Sequence, residues 1–353
     1  MLLGIEIGGT KLQLGVGHAD GSRLVALERF EVDAEKQAEG ILRQIRKAAR
    51  SLAERFPIAS VGIGFGGPVD AAAGRVIKSH HVEGWHGFPL VEWCRQELDL
   101  PAVLGNDADV AGLAEARFGA GRGASPVFYV TVGTGIGGGL IVDGQIYRGH
   151  GPSAAELGHL RPGLQFDRPE ETLESFAAGW GIAAAAQARL AEPVAHPLNP
   201  IRGVIRPTRP EHVRQRLIEV EEVAERCAAE LLELCDGRPE RLSARLVGQA
   251  AKAGNQIASE VLARAWQALG WGIAQMITLL SPEVVVIGGG VSLLGESLFF
   301  VPLREEVGRY VFPPLAGTYR IVPAQLGEEM VVHGALALAG DVPPRSRSTR
   351  AGA

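Results

Sequence analysis

Several groups of residues in this sequence carry the functional groups that phosphate and hydroxyl chemistry needs. Glu6-Ile7-Gly8-Gly9-Thr10-Lys11 joins a carboxylate, two adjacent glycines, a hydroxyl and an ammonium in one short run. Adjacent glycines let backbone amides approach an anion, and a threonine hydroxyl can donate to the same anion. Alone, this run is better explained as a glycine hairpin turn. Gly133-Thr134-Gly135-Ile136-Gly137-Gly138-Gly139 repeats the pattern far downstream, and two such turns in matching places point to a phosphate chain gripped from both sides. A third run, Gly288-Gly289-Gly290, follows an apolar strand. It reads equally as backbone passing close to a ribose and base or as a plain strand-to-helix turn.

Between the two hairpins lies Gly105-Asn106-Asp107-Ala108-Asp109, where a short strand runs into a helix over 110–118. Asp107 and Asp109 have an ordinary role as first-turn acids that complement the helix dipole. Asp107 beside Asn106 is also what a sugar hydroxyl needs: a carboxylate to take its proton and an amide to hold a neighbouring hydroxyl. Farther on, Glu156-Leu157-Gly158-His159 adds a carboxylate and an imidazole, and Glu174 opens another helix. Each of these can be a solvated polar residue; their joint order carries the functional reading.

These residues need elements to hold them. Residues 2–7, 12–16 and 24–30 are β-prone runs split by turn sequences, 35–56 shows helical spacing at Ile41, Ile45, Ala49 and Leu52, and 61–65 is the next strand. The pattern predicts a βββαβ unit. A second such unit begins near Pro126, with strands over 127–132, 139–142 and 145–147, long helices over 211–234 and 256–280, and a strand over 284–287. The predicted fold class is α/β with a duplicated unit. Residues 191–210 hold five prolines and read as a surface loop, and the tail 341–353 reads as disordered.

The 353 residues are 46% hydrophobic and 21% charged with 47 glycines, a globular composition long enough for two domains. A net charge of -5 supplies no basic field for a polyanion and argues against a nucleic-acid partner. Cys94, Cys227 and Cys235 are too few and too scattered for a disulfide framework, which points to the cytoplasm. No apolar run approaches the roughly 20 residues of a membrane-spanning helix, and the first residues lack a signal-peptide pattern, so no membrane partner is expected.

The sequence resembles the ROK family, sugar kinases and related repressors of the hexokinase and actin-like ATPase fold, over nearly its whole length. The resemblance rests on the first hairpin, Gly64-Phe65-Gly66-Gly67-Pro68-Val69-Asp70, Glu83-Gly84-Trp85, Asn106-Asp107, the second hairpin, Glu156 to His159, Leu173-Glu174 with Gly179, and the strand ending in Gly288-Gly289-Gly290. It implies a two-domain α/β duplication of the actin-like ATPase (ribonuclease H-like) type with an interdomain cleft. The expected domains are 1–119 and 120–330, with a helix over 331–340 returning to the first.

The resemblance further implies an ATP-dependent kinase acting on a hexose or hexosamine. Asp107 would be the general base; Gly66, Gly67, Asn106, Glu156, His159 and Glu174 would hold the sugar. Glu6, Gly8, Gly9, Thr10, Lys11, Thr134, Gly135, Gly289 and Gly290 would hold ATP, with Mg²⁺ at Glu6 directly or through water. A homodimer is the expected assembly. Two departures stand out. The family's first motif normally begins with aspartate where this chain has Glu6, one methylene longer, and residues 160–173 lack every cysteine of the family's zinc knuckle. No structural zinc is therefore expected. A catalytically weak sugar-binding or regulatory protein is the alternative; a repressor is disfavoured because Glu6 comes almost at once after the first residue, leaving no room for the helix-turn-helix expected ahead of it.

Overall fold

In the computed structural model, which describes residues 1–79, 82–151, 153–163, 168–191 and 211–342, the apolar run Leu2–Ile7 forms β1 at the centre of a five-stranded sheet. β2 (Lys11–Gly17) and β3 (Ala26–Glu31) extend it antiparallel on one side. After α1 (Gln37–Arg55), β4 (Ser60–Phe65) pairs parallel with β1. The short ribbon β5 (Val69–Asp70) and β6 (Arg75–Val76) and helix α2 (Leu90–Leu98) precede β7 (Ala102–Asn106), which closes the order β3-β2-β1-β4-β7. α1 turns Ile41, Ile45, Ala49 and Leu52 onto the sheet, the face its apolar spacing predicts.

α3 (Asp107–Phe118) carries the chain to a second sheet built from β8 (Val127–Val132), β9 (Ile136–Val142) and β10 (Gln145–Ile146). Then come α4 (Leu173–Ala177), α5 (Gly179–Ala191), α6 (Glu211–Leu234), α7 (Ala244–Lys252) and α8 (Gln256–Leu280). β11 (Val284–Gly288), α9 (Val301–Tyr310), β12 (Arg320–Pro323) and α10 (Met330–Gly340) complete the described chain. The second sheet runs β10-β9-β8-β11-β12. Both sheets thus place their first three strands as an antiparallel meander and their fourth and fifth in parallel beyond the first, so the predicted duplication is present in the topology.

α3 and α10 lie between the sheets, where Val110, Leu113, Tyr129, Val286, Val331 and Leu338 share one core. Glycines make this close packing possible. A Cβ on Gly4 would lie 2.6 Å from the Val332 carbonyl oxygen, and one on Gly62 or Gly334 would collide with the Ala335 or Val110 carbonyl. α10 packs on β1 and β4, with Ser60 Oγ donating to the Ala339 carbonyl at 2.8 Å.

Several element bounds differ from the sequence expectation. The third strand begins at Ala26 and ends at Glu31. β9 starts at Ile136 rather than at residue 139, because Gly137, Gly138 and Gly139 pair with Thr131, Val130 and Tyr129 as a strand instead of turning. α3 starts at Asp107, ahead of the expected 110, because Asn106 Oδ1 caps it by accepting from the amides of Ala108 (2.9 Å) and Asp109 (3.4 Å). The expected loop beyond Ala191 and the tail beyond Val342 lie outside the described residues.

Candidate active site

β1 and β2 meet in a tight hairpin closed by the Gly8 amide donating to the Lys11 carbonyl at 2.8 Å. The strand alternation brings Glu6 opposite Gln13. Glu6 is buried; its Oε2 accepts from Gln13 Nε2 at 2.7 Å and its Oε1 pairs with Lys11 Nζ at 3.1 Å. Burial pushes the Glu6 carboxyl above its usual range, with the Lys11 charge opposing.

The end of β4 turns back over this hairpin. The Gly66 amide donates to the Ile7 carbonyl at 2.8 Å, and a Cβ on Gly66 would stand 3.4 Å from both the Gly8 Cα and Asp107 Oδ2. Asn106 Nδ2 donates to the Gly67 carbonyl at 3.0 Å, so the amide expected to hold a sugar hydroxyl also fixes the glycine loop. Trp85 anchors that loop from beneath, edge-on to Phe65 with ring centroids 5.1 Å apart.

Asp107 keeps partial access to solvent, yet its carboxyl is surrounded closely enough that burial pushes it up to about 6. The charges of Glu6 and Glu156 push the same way, while the Ala108 amide, donating at 2.9 Å to Oδ1, opposes. Asp109, two residues on, is pushed to about 7, first by burial.

The first turn of α3 also meets the second hairpin's strand: a Cβ on Gly139 would lie 2.9 Å from the Ala108 carbonyl oxygen. Asp107 therefore stands where elements of both sheets converge. Gly133 and Gly135 close the second hairpin, with the Gly133 amide donating to the Gly135 carbonyl at 2.9 Å and Thr134 exposed at the tip. The third glycine run lies beside it, because the Val291 amide donates to the Val132 carbonyl at 2.9 Å and Gly289, at φ +90°, has no room for a side chain against Val132. A Cβ on Gly133 or Gly290 meets no protein atom within 4 Å, so both backbones can be approached closely by a ligand. That cradle fits a nucleotide's phosphates and ribose; among the described residues no three metal-ligating side chains come together, and both Glu6 oxygens are engaged by Lys11 and Gln13.

Other expected residues are placed differently. Glu174 Oε2 accepts from the Ile136 amide at 2.7 Å, so one of its oxygens is committed to the second hairpin. Glu156 and His159 are exposed at either end of a 3₁₀ turn, Leu157–His159, that sits against β9. Lys11 reaches Glu6 and the Glu328 carbonyl (3.3 Å). Gln13 was missing from the expected site, although its place between Leu12 and Leu14 on a buried strand marks it as a polar residue needing a partner.

The sequence matches the ROK family over residues 2–342. The chain belongs to the ROK family. It is 30% identical to a glucokinase of Thermotoga maritima over 96% of each chain. The crystal structure of a ROK family glucokinase from Streptomyces griseus, in complex with glucose and AMPPNP, is 30% identical and superimposes with a TM-score of 0.73 over 96% of this chain and 98% of that one. A xylose repressor of Caldicellulosiruptor bescii is 25% identical over 96% of this chain and 77% of its own length. The two-domain actin-like ATPase fold expected from the sequence is that of these ROK structures.

Proposed function

We propose that this ROK protein transfers the γ-phosphoryl group of ATP to a hydroxyl of a hexose or hexosamine. The position of Asp107 carries the reading: it is a carboxyl held near 6, beside the Gly66 loop and between the two glycine hairpins. Such a group is largely ionised at neutral pH and basic enough to accept the hydroxyl proton as the oxygen attacks. Asn106, Gly66, Gly67, Glu156, His159 and Glu174 would hold the sugar ring, and the three glycine runs the nucleotide. In-line phosphoryl transfer needs positioning more than covalent help. Domains of 1–119 and 120–330, joined through α3 and α10, could close over both substrates and exclude water. Mg²⁺ held by Glu6, directly or through water, would neutralise charge on the phosphate oxygens. We also assign the protein to the cytoplasm as a homodimer; three free, buried cysteines support a reducing compartment.

One observation favours a second reading, a catalytically weak sugar-binding or regulatory protein: both Glu6 oxygens are already engaged, by Lys11 and Gln13. Sugar-dependent ADP release, measured with the purified protein across a panel of hexoses and hexosamines, separates the two. ADP release with one or more sugars supports the kinase. Calorimetric sugar binding without ADP release favours the second reading, and neither signal overturns both.

A further inference from the structure

The chain passes between the sheets twice, once through α3 and residues 119–126 and once through residues 324–329 into α10. A single side chain holds both passages. Glu115, on α3, is completely buried. Its Oε2 accepts from the Ala120 amide at 2.9 Å in the first passage, and its Oε1 accepts from the Gln325 amide at 2.9 Å and the Leu326 amide at 2.8 Å in the second. A carboxylate receiving three backbone donors is a strong, directional tie.

The tie continues toward the site. The Glu328 carbonyl, at the far end of the same turn, accepts from Gln13 Nε2 at 3.1 Å, and Gln13 Nε2 also donates to Glu6 Oε2 at 2.7 Å. Asp107 begins the helix that carries Glu115, so one path joins the proposed base to the proposed Mg²⁺ carboxylate through the back of the hinge. We propose that Glu115 is a positioning residue that, through the 325–328 turn and Gln13, fixes Glu6 and the first glycine hairpin relative to Asp107. This rests on the kinase reading for its catalytic consequence but not for the brace itself.

Two variants of the full-length protein test it. Glu115→Gln turns one acceptor into a donor facing a backbone amide. Gly119→Ala keeps the charge but displaces it, because a Cβ there would overlap Glu115 Oε2. Both are expected to lower kcat at least tenfold and to raise the KM for MgATP at least fivefold, with the KM for glucose within twofold of wild type. Hydrogen–deuterium exchange is expected to quicken at residues 325–326 and also at 6–13, with α8 unchanged. A merely structural Glu115 would lower the melting temperature while leaving the KM for MgATP, and exchange at 6–13, as in wild type; that result overturns the proposal. If Glu115→Gln does not fold, Gly119→Ala alone decides. Wild-type protein without sugar-dependent ADP release would sink the kinase reading, and the exchange pattern would still decide the brace.

Discussion

Gly66 faces Asp107 so closely that a Cβ on the glycine would lie 3.4 Å from Asp107 Oδ2. Any larger residue at 66 would stand in front of the carboxylate that we assign as the base. The absence of a side chain there is thus part of the site, and the backbone of the 66–67 loop forms its wall.

Asp107→Asn keeps this shape and removes the basicity. We expect kcat to fall by about 10² or more, the scale of a lost general base, with the calorimetric sugar affinity nearly unchanged. In the wild type, kcat/KM should fall below about pH 6, where the carboxyl takes up its proton. Near wild-type turnover in the variant would reduce Asp107 to a first-turn helix acid.

Glu6→Gln tests the metal assignment. The amide still reaches Gln13 but loses the charge that pairs with Lys11 and would attract Mg²⁺. The Mg²⁺ concentration for half-maximal activity is expected to rise more than the sugar KM does, and an unchanged Mg²⁺ titration would count against the assignment.

The strands and long helices were legible in the sequence because burial imposes a period on the order of apolar residues, as Ile41, Ile45, Ala49 and Leu52 show on α1. The glycines of β9 misled because glycine signals a turn locally, whereas here it answers a distant need for backbone to approach α3. Asn106 and Asp107 were visible as a pair. Glu115 was not: it sits among alanines on a helix, and its three donors come from residues 120, 325 and 326, two of them about two hundred positions away. Glu174 was found for its order in the chain, and only the fold reveals that it grips the Ile136 amide.

Asp109 offers a stability test. Its Oδ1 is buried without a hydrogen-bond partner among the described residues, and burial together with the charges of Glu156 and Asp107 raises its carboxyl from 3.8 to about 7 against the opposing Arg148. The folded state therefore holds this proton more tightly than the unfolded chain does, and stability falls as pH rises from about 4 to about 7. Asp109→Asn removes that loss. The variant should melt higher than wild type at pH 8, with the advantage shrinking toward pH 4; a lower melting temperature at pH 8 would show that the charged form is stabilised in a way burial does not predict.

Ala155 sets up Glu156 at a cost. Its φ of +61° lies in the left-handed region, disfavoured for a residue with a Cβ by roughly 1–2 kcal/mol. Glycine relieves that strain and gives back about 0.4–1 kcal/mol through the freer unfolded chain. Ala155→Gly should thus leave denaturant stability unchanged or raise it by up to about 1.6 kcal/mol, the difference of those two ranges. A clear loss of stability would mean that the Ala155 methyl makes contacts worth more than the strain.

Zinc is the last test, because here the chain departs from its family. A structural zinc site takes four ligands, chiefly Cys and His, and its binding energy is part of folding. Between His159 and Glu174 the sequence offers only Asp167, Glu170 and Glu171, and Asp167 lies outside the described residues. The described ends of the segment are joined by a backbone hydrogen bond: the Leu173 amide donates to the Leu160 carbonyl at 2.6 Å, and the Leu173 side chain is buried against Gly272 of α8. The cysteines are distant in the fold, with Cys94 in the first sheet's core and its thiol pushed up to about 12 by burial, and Cys227 and Cys235 in the second sheet's core. Elemental analysis of the purified protein is expected to find no stoichiometric zinc, and a chelator should leave its melting temperature unchanged. One equivalent of zinc that survives mild chelation would overturn this and would require ligands recruited from elsewhere in the chain.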